Sequence, residues 1–364
     1  MDRPAMEARR VALTLAAAAL LGCAVAGPAA ADDDGLQVVA SIKPVHSLVS
    51  AVMAGVGEPH LVIRGASSPH TFTMRPSDAA ALEDADVVFL IGDTMETALA
   101  GPVDALSRHA RVVRLFDVPG LIKKPIREGG AFEEHDHSSH GHQGEDDHGH
   151  GHDDHDDHDA AMHRDDDHDD HGHGHDDHDD HADEHDEHGA YDLHVWLDPI
   201  NGWTMARAIA ATLAEVDPAN AATYEANVDA LLHRLDRLTG EVAAQVAPAR
   251  GMPFIVFHDG YRYFEDRFGL AAAGSVVVSP ERPPGARRIA ELRDKLDALG
   301  VVCVFDEPQF DQRLVRTVIE GSDVRSGTVD PLGADIEDGP ALYETLLRTM
   351  AASFAGCLAS DAEG

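Results

Sequence analysis

Apolar positions along this chain fall into two alternating rhythms. Short runs of β-branched and apolar residues at 36–42, 60–64, 87–91 and 111–116 are separated by stretches of helical period at 44–56, 76–85 and 94–109. The rhythm starts again with strands expected at 254–257, 271–278, 301–305 and 324–328, and helices at 260–268, 284–299, 309–321 and 340–358. Strands that alternate with helices predict parallel sheets covered on both faces. Between the two sets, Asp217-Pro218 reads as an N-cap followed by a proline at the first helical position. It opens a helix whose apolar stripe is Tyr224, Val228, Leu231, Leu235, Leu238, Val242 and Val246. The predicted class is therefore α/β, with two (β/α) lobes joined by one long rigid helix. The expected boundaries are an N-terminal lobe over 32–216, the helix over 217–247 and a C-terminal lobe over 248–364. A cleft between such lobes is where ligands of these folds sit.

One stretch breaks the pattern. Glu133–His188 is almost entirely His, Asp, Glu and Gly and holds 18 of the 25 histidines in the chain. It has no apolar periodicity, so it cannot bury enough surface to offset the entropy of ordering, and a solvated loop inserted in the first lobe is expected. Interleaved imidazoles and carboxylates suit borderline divalent cations such as zinc. His148, His150, His152, His155, His158, His171, His173, His175 and His178 are the candidate weak metal ligands.

Charge narrows the function further. The formal net charge is −38, and the segment contributes 24 acidic residues against a single basic one, Arg164. Nucleic acid is excluded as a partner, because no Lys/Arg cluster is available for phosphates. Residues 1–31 read as a secretory signal: Arg3, Arg9 and Arg10, then an apolar core, then Ala29-Ala30-Ala31. Leu20-Leu21-Gly22-Cys23 also fits a lipoprotein site with Cys23 as the lipidated residue, and Arg9-Arg10 is a weak twin-arginine hint. Removal of the signal leaves Cys303 and Cys357, an even count that in an oxidising compartment predicts a disulfide rather than two buried thiols.

Three histidines share a position type. His70 follows Ser67-Ser68-Pro69, His194 is expected in a short strand before Trp196, and His258 closes Phe254-Ile255-Val256-Phe257. Asp330 comes similarly after Gly327-Thr328-Val329. Carboxyl ends of strands face the crevice in open α/β sheets, so the four are expected to converge on a four-coordinate N/O site of the kind zinc accepts. Taken singly, each histidine could equally be a capping or hydrogen-bonded residue. His46, His60, His109 and His233 are read as structural or surface residues.

Ser68-Pro69-His70 with Arg75-Pro76-Ser77-Asp78 resembles the first ligand motif of the periplasmic zinc-binding proteins of ABC importers, the ZnuA-type, cluster A-I solute-binding proteins. His194-Val195-Trp196-Leu197-Asp198-Pro199 resembles the second, and Phe257-His258-Asp259-Gly260-Tyr261-Arg262-Tyr263-Phe264 the third. Asp306-Glu307-Pro308-Gln309-Phe310 and Thr328-Val329-Asp330-Pro331-Leu332-Gly333 resemble the C-terminal signatures. The similarity runs from Val38 to Cys357.

This resemblance implies two lobes bridged by a long helix, zinc held between them, and small hinge motion on binding. It implies His70, His194 and His258 as ligands, with Asp330 or a water as the fourth. Manganese-binding relatives have Glu where His258 stands, and imidazole favours Zn²⁺ where a carboxylate favours Mn²⁺. Some relatives place a carboxylate just before the first histidine, where this chain has Pro69. The Cys303–Cys357 pairing and the His-rich insertion also match some zinc members. The implied function is high-affinity Zn²⁺ capture in the periplasm and delivery to an inner-membrane ABC permease with its cytoplasmic ATPase. Zn²⁺ is then the transported ligand, the insertion an auxiliary collector or sensor, an accessory metal chaperone a further partner, and the chain a monomer.

Two other readings compete. A metal-buffering or storage protein would use the insertion alone and leaves two patterned lobes unexplained. A zinc-dependent hydrolase needs an open coordination position and a general base, and no H-E-x-x-H motif occurs. No G-x-x-x-x-G-K-[ST] occurs either, so ATP hydrolysis is not expected of this chain.

Overall fold

The computed structural model describes residues 35–127, 132, 191–277 and 284–359. The signal at 1–31 with Arg9-Arg10 and Cys23, and the insertion at 133–188, lie outside the described residues. Among the described residues, no helix is long and apolar enough to cross a membrane.

Two four-stranded parallel sheets form the frame. The first has β1 (Val38–Ile42), β2 (His60–Ile63), β3 (Val87–Leu90) and β4 (Arg111–Arg114) in the order β2-β1-β3-β4. Between them run α1 (Lys43–Val52), α2 (Pro76–Glu83) and α3 (Thr97–Leu106). The chain then makes a two-residue antiparallel pair, β5 (Lys124–Pro125) with β6 (Tyr191–Asp192), on either side of the insertion. Helices α4 (Pro199–Val216) and α5 (Ala221–Val246) lead to the second sheet. Its strands are β7 (Phe254–Val256), β8 (Ala272–Ser275), β9 (Cys303–Asp306) and β10 (Arg325–Thr328), in the order β10-β9-β7-β8. Helices α6 (Arg262–Phe268), α7 (Ala286–Ala298) and α8 (Arg313–Ile319) connect them, and α9 (Leu342–Leu358) closes the chain. In each sheet the first strand lies between the second and the third, so both repeat one topology. Each therefore has a switch point between its first and third strands, where a crevice opens at the carboxyl ends.

Helix α5 is the 26-residue element expected from the stripe, about 39 Å at 1.5 Å per residue. All seven stripe residues are buried, with Leu232 beside them, and the helix packs on α1, α4 and α9. The main core is continuous, running from β1 and β3 through α5 to Phe254, Phe305 and Phe354. A smaller core covers the other face of the second sheet, where Ile255, Phe257 and Val304 meet Leu292, Leu296, Val315 and Val318. The alternation of Phe254 and Val256 with Ile255 and Phe257 is the period of two for a strand buried on both faces.

Two local expectations are corrected. His194 is not in a strand: it precedes a single 3-10 turn, Val195–Leu197, and the pairing strand ends at Asp192. Asp198 then caps α4, its Oδ1 accepting the Ile200 N–H at 2.9 Å. Nor does Asp217 cap the long helix directly. A 3-10 turn, Pro218–Asn220, intervenes, and the Asp217 carboxylate accepts from Asn220 Nδ2 at 2.7 Å and the Tyr224 hydroxyl at 2.8 Å.

A Cys303–Cys357 disulfide joins the start of β9 to the end of α9 across 54 residues. Closing a loop of that length restricts the unfolded chain by on the order of 4 kcal/mol. Cys357→Ser is expected to lower unfolding free energy by about that amount. Urea denaturation checks this, and an unchanged midpoint would contradict it.

Candidate metal centre

The second sheet's switch point supplies half of the site. His258 stands just past β7 and Glu307 just past β9, the first and third strands of that sheet. Across the crevice between them, His258 Nδ1 lies 2.6 Å from Glu307 Oε1. His194 is fixed in the same manner by a residue two positions earlier. Asp192 Oδ1 accepts from the His194 backbone N–H at 2.9 Å and lies 2.8 Å from its Nδ1. Asp192 is itself anchored to the second sheet's side, since the Tyr263 hydroxyl donates to its carbonyl at 2.7 Å.

A carboxylate accepts only, so Nδ1 of each ring carries the proton and each Nε2 is left as the lone-pair nitrogen. Those two Nε2 atoms face each other at 3.1 Å. His70, on the loop between β2 and α2, completes the group: the three ligand atoms lie within 4.8 Å of one another. Tetrahedral zinc with nitrogen ligands at 2.0–2.1 Å sets its ligands about 3.3 Å apart. The longest separation must therefore shorten by no more than about 1.5 Å.

Electrostatics favour a cation. Burial holds the His70 imidazole down to about 3, with His194 and His258 adding to the effect, so the ring is unprotonated at neutral pH. At His258 burial works to lower proton affinity, but the Glu307 charge and hydrogen bond outweigh it and raise the group above the ordinary imidazole value. Asp192 Oδ2, Glu307 Oε2 and Gln309 Oε1 are buried acceptors without a hydrogen bond. That surplus of acceptors suits a positive ion and its waters. Backbone also comes close: a Cβ placed on Gly260 would lie 2.4 Å from His258 Nε2 and 2.9 Å from His194 Nε2.

The pocket wall is built of Ser68, Pro69, Trp196, Phe310, Pro331 and Leu332. Trp196 donates its indole N–H to the Pro331 carbonyl at 2.8 Å, and the Tyr343 hydroxyl donates to the Trp196 carbonyl at 2.6 Å. Trp196 thereby ties the His194 segment to the 330–334 turn.

Asp330 is placed outside the three-histidine group. Its Oδ1 accepts from Gln309 Nε2 at 2.8 Å and from Leu332 N at 2.9 Å, and its Oδ2 accepts from Ala334 N. The nine candidate histidines from His148 to His178 lie outside the described residues. Two functional carboxylates escaped the sequence reading. Asp192 had a signal in the Asp-x-His spacing, and Glu307 stood within a quoted motif without a role.

Residues 38–357 match the family model described as "Zinc-uptake complex component A periplasmic". The chain is 55% identical over 321 residues to the high-affinity zinc uptake system protein ZnuA of Brucella abortus (strain 2308), covering 88% of this chain and 91% of that protein. It is 40% identical over 349 residues to the protein of that name from Paracoccus denitrificans (strain Pd 1222), covering 96% and 98%. In fold it is similar to a crystal structure of ZnuA (TM-score 0.65, 22% identity, 89% of this chain and 99% of that one). It is similar also to a zinc-bound deletion mutant of ZnuA (TM-score 0.64, 22% identity, 89% and 98%).

A cation held by His258 Nε2 competes with the proton that this nitrogen takes up. Because the group is raised, zinc affinity is expected to weaken as pH falls through a value above the ordinary 6.5. Glu307→Gln removes the raising charge, so the midpoint should move to lower pH. At high pH the affinity should fall by about 10–100-fold through lost orientation. Zinc competition titrations across pH read both, and a midpoint that stays put would contradict the assignment.

Proposed function

The chain belongs to the ZnuA family of periplasmic zinc-uptake proteins, and from that premise we propose that it binds Zn²⁺ through His70, His194 and His258. It captures the ion in the periplasm and delivers it to an ABC-type zinc permease driven by a cytoplasmic ATPase. One observation supports the ligand set above all others. Two carboxylate-held imidazoles point their Nε2 atoms at each other at 3.1 Å, with a third imidazole beside them. All-imidazole donors suit zinc better than manganese.

In this reading Asp330 holds the pocket wall through its hydrogen bonds, and the fourth position on zinc goes to water. The site binds and does not hydrolyse. Asp192 and Glu307 each hold an imidazole nitrogen through one oxygen, Asp259 is engaged by Arg127, and Asp330 by Gln309 and two backbone N–H groups. The family is a transport family and not an enzyme family. Export by the 1–31 signal, action as a monomer and hand-over from an accessory metal chaperone belong to the same proposal. So does the 133–188 segment as a collector: many weak His/Asp sites on one tether raise the local metal concentration.

A competitive zinc titration tests this. The intact chain is expected to show one tight site plus several weak ones. His258→Ala should weaken the tight site by more than the roughly 100-fold that marks the upper range for a carboxylate partner. Removal of 133–188 should abolish only the weak sites. Tight binding that disappears with that segment would make the protein a metal buffer instead.

A further inference from the structure

We propose that Asp78 is a positioning residue for His70, a role that rests on the reading of His70 as a zinc ligand. His70 is carried on the loop from Arg64 to Arg75, which leaves the edge strand β2 and enters α2. A loop-borne ligand is as well placed as its loop is supported, and productive geometry tolerates about 0.5 Å of error.

The loop has internal turns. Ser67 N donates to the Arg64 carbonyl at 3.3 Å, Thr71 N to the Ser68 carbonyl at 3.2 Å, and His70 N to Ser68 Oγ at 3.3 Å. These shape the middle and leave the two ends to be joined. Asp78 joins them. It is the third residue of α2, and its side chain is 0% exposed. Its Oδ2 accepts the Arg75 backbone N–H at 3.2 Å, on the far side of the loop. Its Oδ1 accepts from Arg64 Nη1 at 3.0 Å and lies 3.0 Å from His60 Nε2, on the near side.

Capping α2 requires only the first of these contacts. The other two reach back 14 and 18 residues to β2 and its end, and they make the buried carboxylate a clip between strand and helix. Charge-assisted bonds to a guanidinium are among the stronger hydrogen bonds, and removing the carboxylate charge leaves Arg64 without its buried counter-ion. The loop ends are then free to part, and the displacement falls on His70. His60, which the sequence marked as a structural or surface residue, is one arm of this clip.

The full chain tests the inference by competitive zinc titration, with thermal unfolding as the control for folding. Asp78→Asn, which keeps the volume and removes the charge, is expected to weaken the tight site by about 10-fold. In a His70→Ala background the same substitution should change nothing further, whereas in a Glu307→Gln background the losses should multiply. A role confined to general stability would multiply in both. Unchanged affinity in folded Asp78→Asn, or an equal loss in both backgrounds, overturns the clip. Should Asp78→Asn fail to fold, Arg64→Met at a partly exposed site carries the same comparison with the same outcomes. If His258→Ala keeps the tight site, the zinc reading itself falls. If His258→Ala loses it while Asp78→Asn and Arg64→Met leave it intact, only the clip falls.

Discussion

Two imidazole nitrogens that both present lone pairs repel at 3.1 Å unless something positive lies between them. His194 and His258 are held in that relation, because Asp192 and Glu307 occupy the opposite nitrogens and fix which ring atom carries the proton. A proton on His258 Nε2 is donated to His194 Nε2 across that distance, and a divalent cation bound by both nitrogens takes the place of that proton. Against the lowering effect of burial, the Glu307 charge and hydrogen bond raise the proton affinity of His258. Binding zinc therefore means displacing a proton, and the site's affinity is linked to pH by its own construction.

The fold exists around that constraint. Each sheet has its first strand between its second and third, which opens a crevice at the carboxyl ends. In the second sheet the crevice is spanned by His258 and Glu307. In the first, the corresponding strand ends are closed by a different set. Glu96, fully buried and pushed up to about 6 by that burial, accepts from Ser41 Oγ at 2.6 Å and from the Ile91 and Gly92 N–H groups at 3.0 Å. Lys43 beside it reaches across to the Ala334 and Ile336 carbonyls at 3.1 and 2.7 Å. One sheet's switch point carries a proposed ligand, His258, and the carboxylate bonded to its ring. The other's carries the fastening that holds the 330–338 segment, and with it the pocket wall, against the first sheet.

Much of this was legible in the residues. The strand runs and the stripe from Tyr224 to Val246 follow from periodicity, and the three histidines were singled out by their positions after apolar or turn-like runs. What stayed hidden involved contacts between distant parts of the chain. Glu307 is 49 residues from His258, and no local pattern announces their pairing. Asp330 looked like a ligand because it ends a strand run, yet its oxygens are taken by Gln309 and by backbone N–H groups of its own turn. Periodicity also misplaced His194, since a single 3-10 turn of buried Val195, Trp196 and Leu197 is as apolar as a short strand. Burial sets the apolar pattern in both cases, and only backbone hydrogen bonding separates them.

Zinc K-edge X-ray absorption at half an equivalent of metal tests the central claim most directly, compared between the intact chain and one lacking residues 133–188. The account predicts the same spectrum from both: about four N/O donors at roughly 2.0–2.1 Å, with multiple scattering from three imidazoles and no sulfur. A spectrum that changes when the segment is removed, or one whose imidazole count falls below three in the shortened chain, would contradict a tight site made by His70, His194 and His258.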